Sequence, residues 1–207
     1  MRVLIGCEFS GIVRDAFLAA GHDAWSCDLL PSESPGPHIQ GNVLAVINQG
    51  WDLAIFHPPC QYLTYAANHV WNAPGRKVKR DQAFEFFMKL YNSPIEKVCC
   101  ENPFGYPWAA FRKPDQVIHP WFFADPHYKR TCFWLRNLKP LYWSRQRGFW
   151  HEQTAVTPPK PVYIRPDGKP IYSIEAIGSG HNPESRRHAR SRFFPDVAAA
   201  MAEQWGS

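Results

Sequence analysis

The chain has 207 residues, 45% hydrophobic and 15% aromatic with nine Trp, enough apolar material for one real core and at most a small appended lobe. Its formal charge of +5 is mildly basic, compatible with a nucleic-acid partner without establishing one. No run of 18 apolar residues is present, so no membrane-spanning helix is expected.

Twenty Pro and thirteen Gly point to many turns and ordered loops rather than a helical bundle. The six cysteines (Cys7, Cys27, Cys60, Cys99, Cys100 and Cys132) form no C-x-x-C pair and no disulfide-dense pattern. The start of the chain lacks the long apolar core of a secretion signal, so reduced thiols in a cytoplasmic protein are expected. No paired spacing of His and Cys suggests a metal site.

Arg2 to Gly6 is a short strand-like run. From Gly11 to Ala20, Ile12, Val13, Ala16, Phe17 and Ala20 recur at helical spacing, with Ser10 placed to cap the helix and Gly21 to end it. Ala24 to Cys27 reads as a second strand closing on Asp28, followed by a Pro/Ser/Gly loop from Pro31 to Pro37. Trp51 to Phe56 is a buried strand that must stop at Pro58-Pro59. Lys79 to Asn92 is helical, Lys97 to Cys100 a strand ending at Glu101-Asn102-Pro103, and Thr131 to Leu135 one more strand.

Strand–helix–strand units of this kind predict a largely parallel sheet covered by helices on both faces. Ligands of such sheets sit beyond the carboxyl ends of the strands, where Cys7 to Gly11, Asp28, Cys60 and Glu101 all fall. Residues 138 to 185 are rich in Pro, aromatics and basic residues, with a hairpin turn at Arg165-Pro166-Asp167-Gly168, and read as a small substrate-facing lobe. Pro195 to about Trp205 returns to helix with Pro195 in its first position.

The loop Cys7-Glu8-Phe9-Ser10-Gly11 joins strand to helix, where a glycine admits close approach and free N–H groups face outward. A carboxylate at the end of a second strand, as Asp28 is, suits a ribose diol, and serves equally well as a turn residue. A lone cysteine is ordinarily a small buried hydrophobe. Cys60 differs because two prolines fix a rigid exit just before it, which is a way to aim a nucleophile. Glu101, at the mouth of the sheet beside an apolar run, is expected to have a raised pKa and to serve as a proton donor.

Taken together these segments resemble the cytosine-5 methyltransferase family. Phe9-Ser10-Gly11 is similar to its cofactor loop, Pro59-Cys60-Gln61 to its nucleophile motif, and Glu101-Asn102 to its glutamate motif. Tyr128-Lys129-Arg130-Thr131 resembles its basic motif, and Arg186 to Trp205 the segment that packs back on the cofactor domain. The resemblance implies an α/β, Rossmann-like S-adenosylmethionine-dependent methyltransferase fold over residues 1–137. It further implies a recognition lobe over 138–185 and a closing segment over 186–207.

It implies that Phe9, Ser10, Gly11, Asp28, Asn42 and Pro59 hold S-adenosylmethionine. Phe9 would stack on the adenine, Asp28 would take the ribose hydroxyls, and Asn42 stands where the family often has an aspartate. Cys60 would attack C6 of cytosine, Glu101 would meet N3, and Arg130 would steady the base or Glu101. Gln61, Tyr62, Thr64, Asn102 and Lys129 would line the substrate, with Arg145 and Arg147 on phosphates. The loop carrying Tyr62, Tyr65, Asn68 and His69 would close over a base flipped out of the duplex.

Three features depart from the family pattern: Val13 replaces a glycine, Cys132 replaces an arginine, and the lobe is short. The implied function is methyl transfer to carbon 5 of cytosine in DNA, with loose sequence preference. The alternatives are cytosine in RNA, a free cytosine nucleotide, or an inactive nucleic-acid-binding relative. Basic clusters at Arg76 to Arg80, Arg145 to Arg147 and Arg186 to Arg192 read as solvated surface or phosphate contacts.

Overall fold

The computed structural model describes residues 1–65, 70–143, 158–172 and 192–207. Among these, seven strands form one sheet: β1 (Arg2–Gly6), β2 (Asp23–Asp28), β3 (His38–Gln40), β4 (Leu53–Phe56), β5 (Lys97–Pro103), β6 (Gln116–Ile118) and β7 (Thr131–Arg136). Their order is β3-β2-β1-β4-β5-β7-β6. Strands β1 to β5 pair in parallel, and β7 runs antiparallel between β5 and β6. This is the largely parallel, Rossmann-like sheet covered by helices on both faces that the sequence leads one to expect.

Alternation along the strands builds a core on each face. Val3, Ile5, Leu53, Ile55, Cys99, Phe133 and Leu135 point to one side. There they meet α1 (Ile12–Ala19) through Val13 and Phe17, and α4 (Pro195–Trp205) through Val197, Met201 and Trp205. Leu4, Ala54, Phe56, Val98, Cys100 and Trp134 point to the other, against Phe87 and Leu90 of α2 (Arg76–Tyr91). Helix α3 (Tyr106–Ala110) follows β5, and Trp108 packs against that second core.

Several boundaries differ from expectation. Gly11, not Ser10, is the N-cap of α1: its φ of 78° suits glycine, and Ser10 Oγ reaches only the Ile12 N–H, at 3.4 Å. Helix α2 starts at Arg76, because Gly75 with φ 73° turns the chain into it. Strand β5 continues through Pro103, so Glu101 and Asn102 are ladder residues facing Phe133 and Cys132 of β7. Strands β3 and β6, three residues each, were not anticipated; such short runs carry no readable period.

The hairpin β8 (Tyr163–Ile164) and β9 (Pro170–Ile171) closes on the expected Arg165–Gly168 turn. Pro195 opens α4 as expected, and the Asp125 carboxylate caps it by accepting the Asp196 and Val197 N–H groups at 3.0 and 3.1 Å. Residues 138–142, expected at the start of the lobe, run along the main body. Leu141 is buried, and Tyr142 and Gln204 exchange two hydrogen bonds. No described helix is long and apolar enough to cross a membrane.

Candidate active site

Chain order runs outward in two directions from β1 and β4, which makes the gap between their carboxyl ends the switch point of the sheet. Two groups of side chains flank it. The first follows β1 and β2. Glu8 is buried, and its Oε1 accepts the Val13 N–H at 2.9 Å and the Ser10 hydroxyl at 3.0 Å. The carboxylate therefore sits at the positive end of α1, where its charge is favourable. Val13 is a core residue of that helix.

Gly11 is tight for a different reason than ligand approach. A Cβ there would lie 2.2 Å from Ser34 Oγ and 2.4 Å from an Arg14 guanidinium nitrogen. Arg14 is fully buried. It donates to Asp15, to the hydroxyls of Ser26, Ser32 and Ser34, and to the carbonyls of Ser34 and Pro35. It thus ties the loop after β2 to α1. Glu33, between Ser32 and Ser34 in the same loop, accepts two 2.9 Å bonds from Arg192.

Phe9 is buried in the β1 loop. Asp28 ends β2 half-buried, its Oδ1 accepting the Leu30 N–H at 2.9 Å. Asn42 Oδ1 caps the short turn Val43–Ala45 through the Leu44 N–H at 3.0 Å, so its oxygen is held by backbone.

The second group follows β4 and β5. The His57 N–H still bonds to Gly6, at 2.9 Å, but Pro58 and Pro59 offer no N–H and the ladder ends. Buried Asn102 donates from Nδ2 to the Pro58 carbonyl at 2.8 Å, pinning this exit to β5. Asn102 is thereby a strut of the loop. The Cys60 carbonyl accepts the Leu63 and Thr64 N–H groups, both at 2.9 Å, and this turn leaves Cys60 exposed beside Pro59.

Cys60 stands apart from the other thiols. Cys27, Cys99, Cys100 and Cys132 are buried and Cys7 partly so. Burial, reinforced by nearby Asp28, raises Cys7 and pushes Cys27 up to about 11. Burial likewise raises Cys99 and Cys100 and pushes Cys132 up to about 12. Of six cysteines, only Cys60 is exposed.

Glu101 is buried, and its Oε2 accepts from His57 Nδ1 at 3.4 Å. Its expected raised pKa is corrected by the structure. Burial does push it up, but the His57 hydrogen bond and the charges of Lys129 and His57 outweigh burial, and the net shift is downward. Lys129 is the cation that acts on Glu101, whereas exposed Arg130 lies over the Phe104 ring at 5.5 Å.

The loop after Cys60 is docked on its surroundings. Thr64 bridges to Gly105, where a Cβ would lie 2.1 Å from the Leu63 carbonyl, so only glycine permits the approach. The Gln61 carbonyl accepts from Arg76 at 2.9 Å, and Tyr62 lies under Arg76 and Lys79 at 5.2 and 5.7 Å. Arg80 covers Trp71 at 3.9 Å. Part of the basic cluster at 76–80 therefore anchors this loop rather than facing solvent. Asn68, His69, Arg145 and Arg147 lie outside the described residues.

His57 and Arg14 were missed by sequence reasoning. For His57 a signal existed: Phe56 pairs with Cys100 in parallel register, so the next residues, His57 and Glu101, fall side by side. No protein-family model and no curated protein matches the sequence. Among solved structures, that of a Spodoptera frugiperda DNMT2 mutant is similar to 89% of this chain, with 14% identity and a TM-score of 0.42. The similarity covers 61% of that chain, so this protein spans about three fifths of its length.

Proposed function

We propose that this protein transfers a methyl group from S-adenosylmethionine to carbon 5 of cytosine in DNA through a covalent bond to Cys60. The observation that carries the reading is the pairing of two unlike groups on adjacent strand ends. Cys60 is the exposed thiol on a double-proline exit, and Asn102 pins that exit beside buried Glu101. A nucleophile next to a buried carboxyl suits attack on a ring whose electrons must be drawn away as the bond forms.

The β1 side fits the proposed cofactor in chemistry. Buried Glu8 Oε2 has no partner among the described residues, and Asp28 stands at the end of β2. Two carboxylates there favour a cationic ligand with a ribose diol and disfavour a phosphate at the α1 terminus. Phe9, Ser10, Gly11, Asp28, Asn42 and Pro59 would hold it. When bound it supplies an electrophilic methyl group.

In the proposed reaction Cys60 Sγ, as thiolate, bonds to C6, and the C5–C6 electron pair moves toward C5 and N3. Glu101, protonated as the base arrives, donates to N3 and lowers the barrier to attack. C5 would then bond the methyl group as the sulfonium S–CH3 bond breaks with its electron pair left on sulfur. A solvent base would take the C5 proton, N3 would return its proton to Glu101, and Cys60 would leave with the C6–S pair as the ring recovers its aromaticity. Lys129 keeps charge near Glu101, and Arg130 with Phe104 forms an edge for the base. Gln61, Tyr62 and Thr64 present the loop that would cover it.

The test is incubation with methyl-labelled S-adenosylmethionine and, in parallel, cytosine-containing DNA, RNA and dCMP. Label at C5 of cytosine in DNA is expected. Label only in RNA or only in dCMP would move the substrate to that class, and label in none would overturn the reading.

A further inference from the structure

The exit of β4 carries a second side chain at the same point. His57 follows Phe56, whose register partner is Cys100, and so meets Glu101. Its Nδ1 lies 3.4 Å from Glu101 Oε2, with both side chains 11% exposed. On the opposite side its ring packs on buried Phe193, centroids 4.8 Å apart. An ionised carboxylate only accepts hydrogen bonds, so Nδ1 carries the proton of this contact. Nε2 is buried and has no partner among the described residues.

We propose that His57 is a positioning residue for the methyl transfer proposed above: it holds the Glu101 carboxyl in one orientation and governs when that carboxyl carries a proton. This inference rests on that reading of the site. The physical problem it addresses is plain. N3 of cytosine is an acceptor, so an ionised Glu101 cannot donate to it.

The titratable groups acting on Glu101 from neighbouring elements are His57 on the β4 exit, Lys129 before β7, Cys132 on β7 and Cys99 on β5. The two thiols are held neutral by burial. Imidazole is the side chain whose hydrogen-bonding character changes around neutral pH, and Phe193 fixes its plane. Loss of the imidazole removes both His57 influences and leaves only Lys129 to oppose burial, so the Glu101 pKa rises. Glu101 then keeps its proton to higher pH, and any rate that needs the protonated acid persists to higher pH.

The experiment uses full-length wild type, His57→Ala and His57→Asn, with Asn retaining an N–H donor. Glutamate labelled with ¹³C at Cδ gives the Glu101 titration by NMR, assigned with Glu101→Gln. Single-turnover methyl transfer is followed in parallel from about pH 5 to about pH 9. His57→Ala should move the Glu101 titration and the matching limb of the rate profile upward together. His57→Asn should restore part of that shift in both.

Should His57→Ala fail to fold, His57→Phe, which keeps a ring against Phe193 but has no donor, is read in its place, with the same upward direction expected for Glu101. A Glu101 titration unmoved in the folded variant that lacks the imidazole would overturn the proposal. A moved titration with no methyl transfer to any cytosine substrate would support the pairing and reject the reaction assigned to the site.

Discussion

Polar side chains on the two sides of the sheet's crevice are used differently. On the β1–β3 side, Glu8 caps α1, Asn42 caps a turn, and Arg14 is saturated by six contacts that bind the loop to the helix. On the β4–β5 side prolines, the Asn102 strut, the Thr64–Gly105 bridge and Arg76 on the Gln61 carbonyl hold the backbone of the exit, and Cys60 is exposed. One side is a braced wall and the other presents an exposed thiol near a buried carboxylate. The wall should therefore fail by losing stability, and the presenting edge should fail by losing rate.

Arg14→Ala is the most severe way to break this contrast. It strips donors from three serine hydroxyls and two carbonyls in a buried network, and a loss of about 3 kcal/mol or more is expected in urea unfolding. Methyl-transfer rate at saturating cofactor should change little in the fraction that stays folded. A variant as stable as wild type would show that the network is incidental.

Glu101→Gln should do the reverse. Single-turnover rate is expected to fall by about 10²-fold or more, as for a positioned acid, with a smaller loss of stability than in Arg14→Ala. A large stability loss with an unchanged rate would return Glu101 to a structural role.

Asn102→Ala lies between the two, since it touches the strut and not the chemistry. Loss of the bond to the Pro58 carbonyl should cost about 1 kcal/mol of stability and a rate decrease of about 10-fold, as the Cys60 exit loosens. Equal rates in wild type and variant would mean that the two prolines alone fix the exit.

What could be read without coordinates follows the same division. The presenting edge was legible in part because it is local: a buried run stopped by Pro58-Pro59 places Cys60 just past β4, whereas Glu101, read as a strand end, lies within β5 because β7 extends the ladder to Pro103. The wall was not, because it is assembled from afar. Arg14 looks like an ordinary helix arginine until Ser26, Ser32 and Ser34 fold onto it.

Glu101 shows a subtler failure. Burial was legible and its sign was right, but the opposing influence comes from His57, 44 residues earlier, and from Lys129 on the approach to β7. A pKa direction is a balance over neighbours, and only the nearest in sequence were visible. The basic cluster at 76–80 likewise read as surface, though Arg80 is buried over Trp71.

The central claim is the covalent bond at Cys60, and a substrate that cannot finish the reaction tests it most directly. With fluorine in place of hydrogen at C5 of cytosine, no proton can leave after methyl transfer, so the ring cannot expel the thiolate. Incubating the protein with S-adenosylmethionine and DNA carrying 5-fluorocytosine should yield a cofactor-dependent adduct of protein, DNA and methyl group by intact mass spectrometry. Peptide mapping should place it on Cys60, and Cys60→Ser should form none while folding normally. Methylation of ordinary cytosine without any trapped adduct, or an adduct on another residue, would contradict the account.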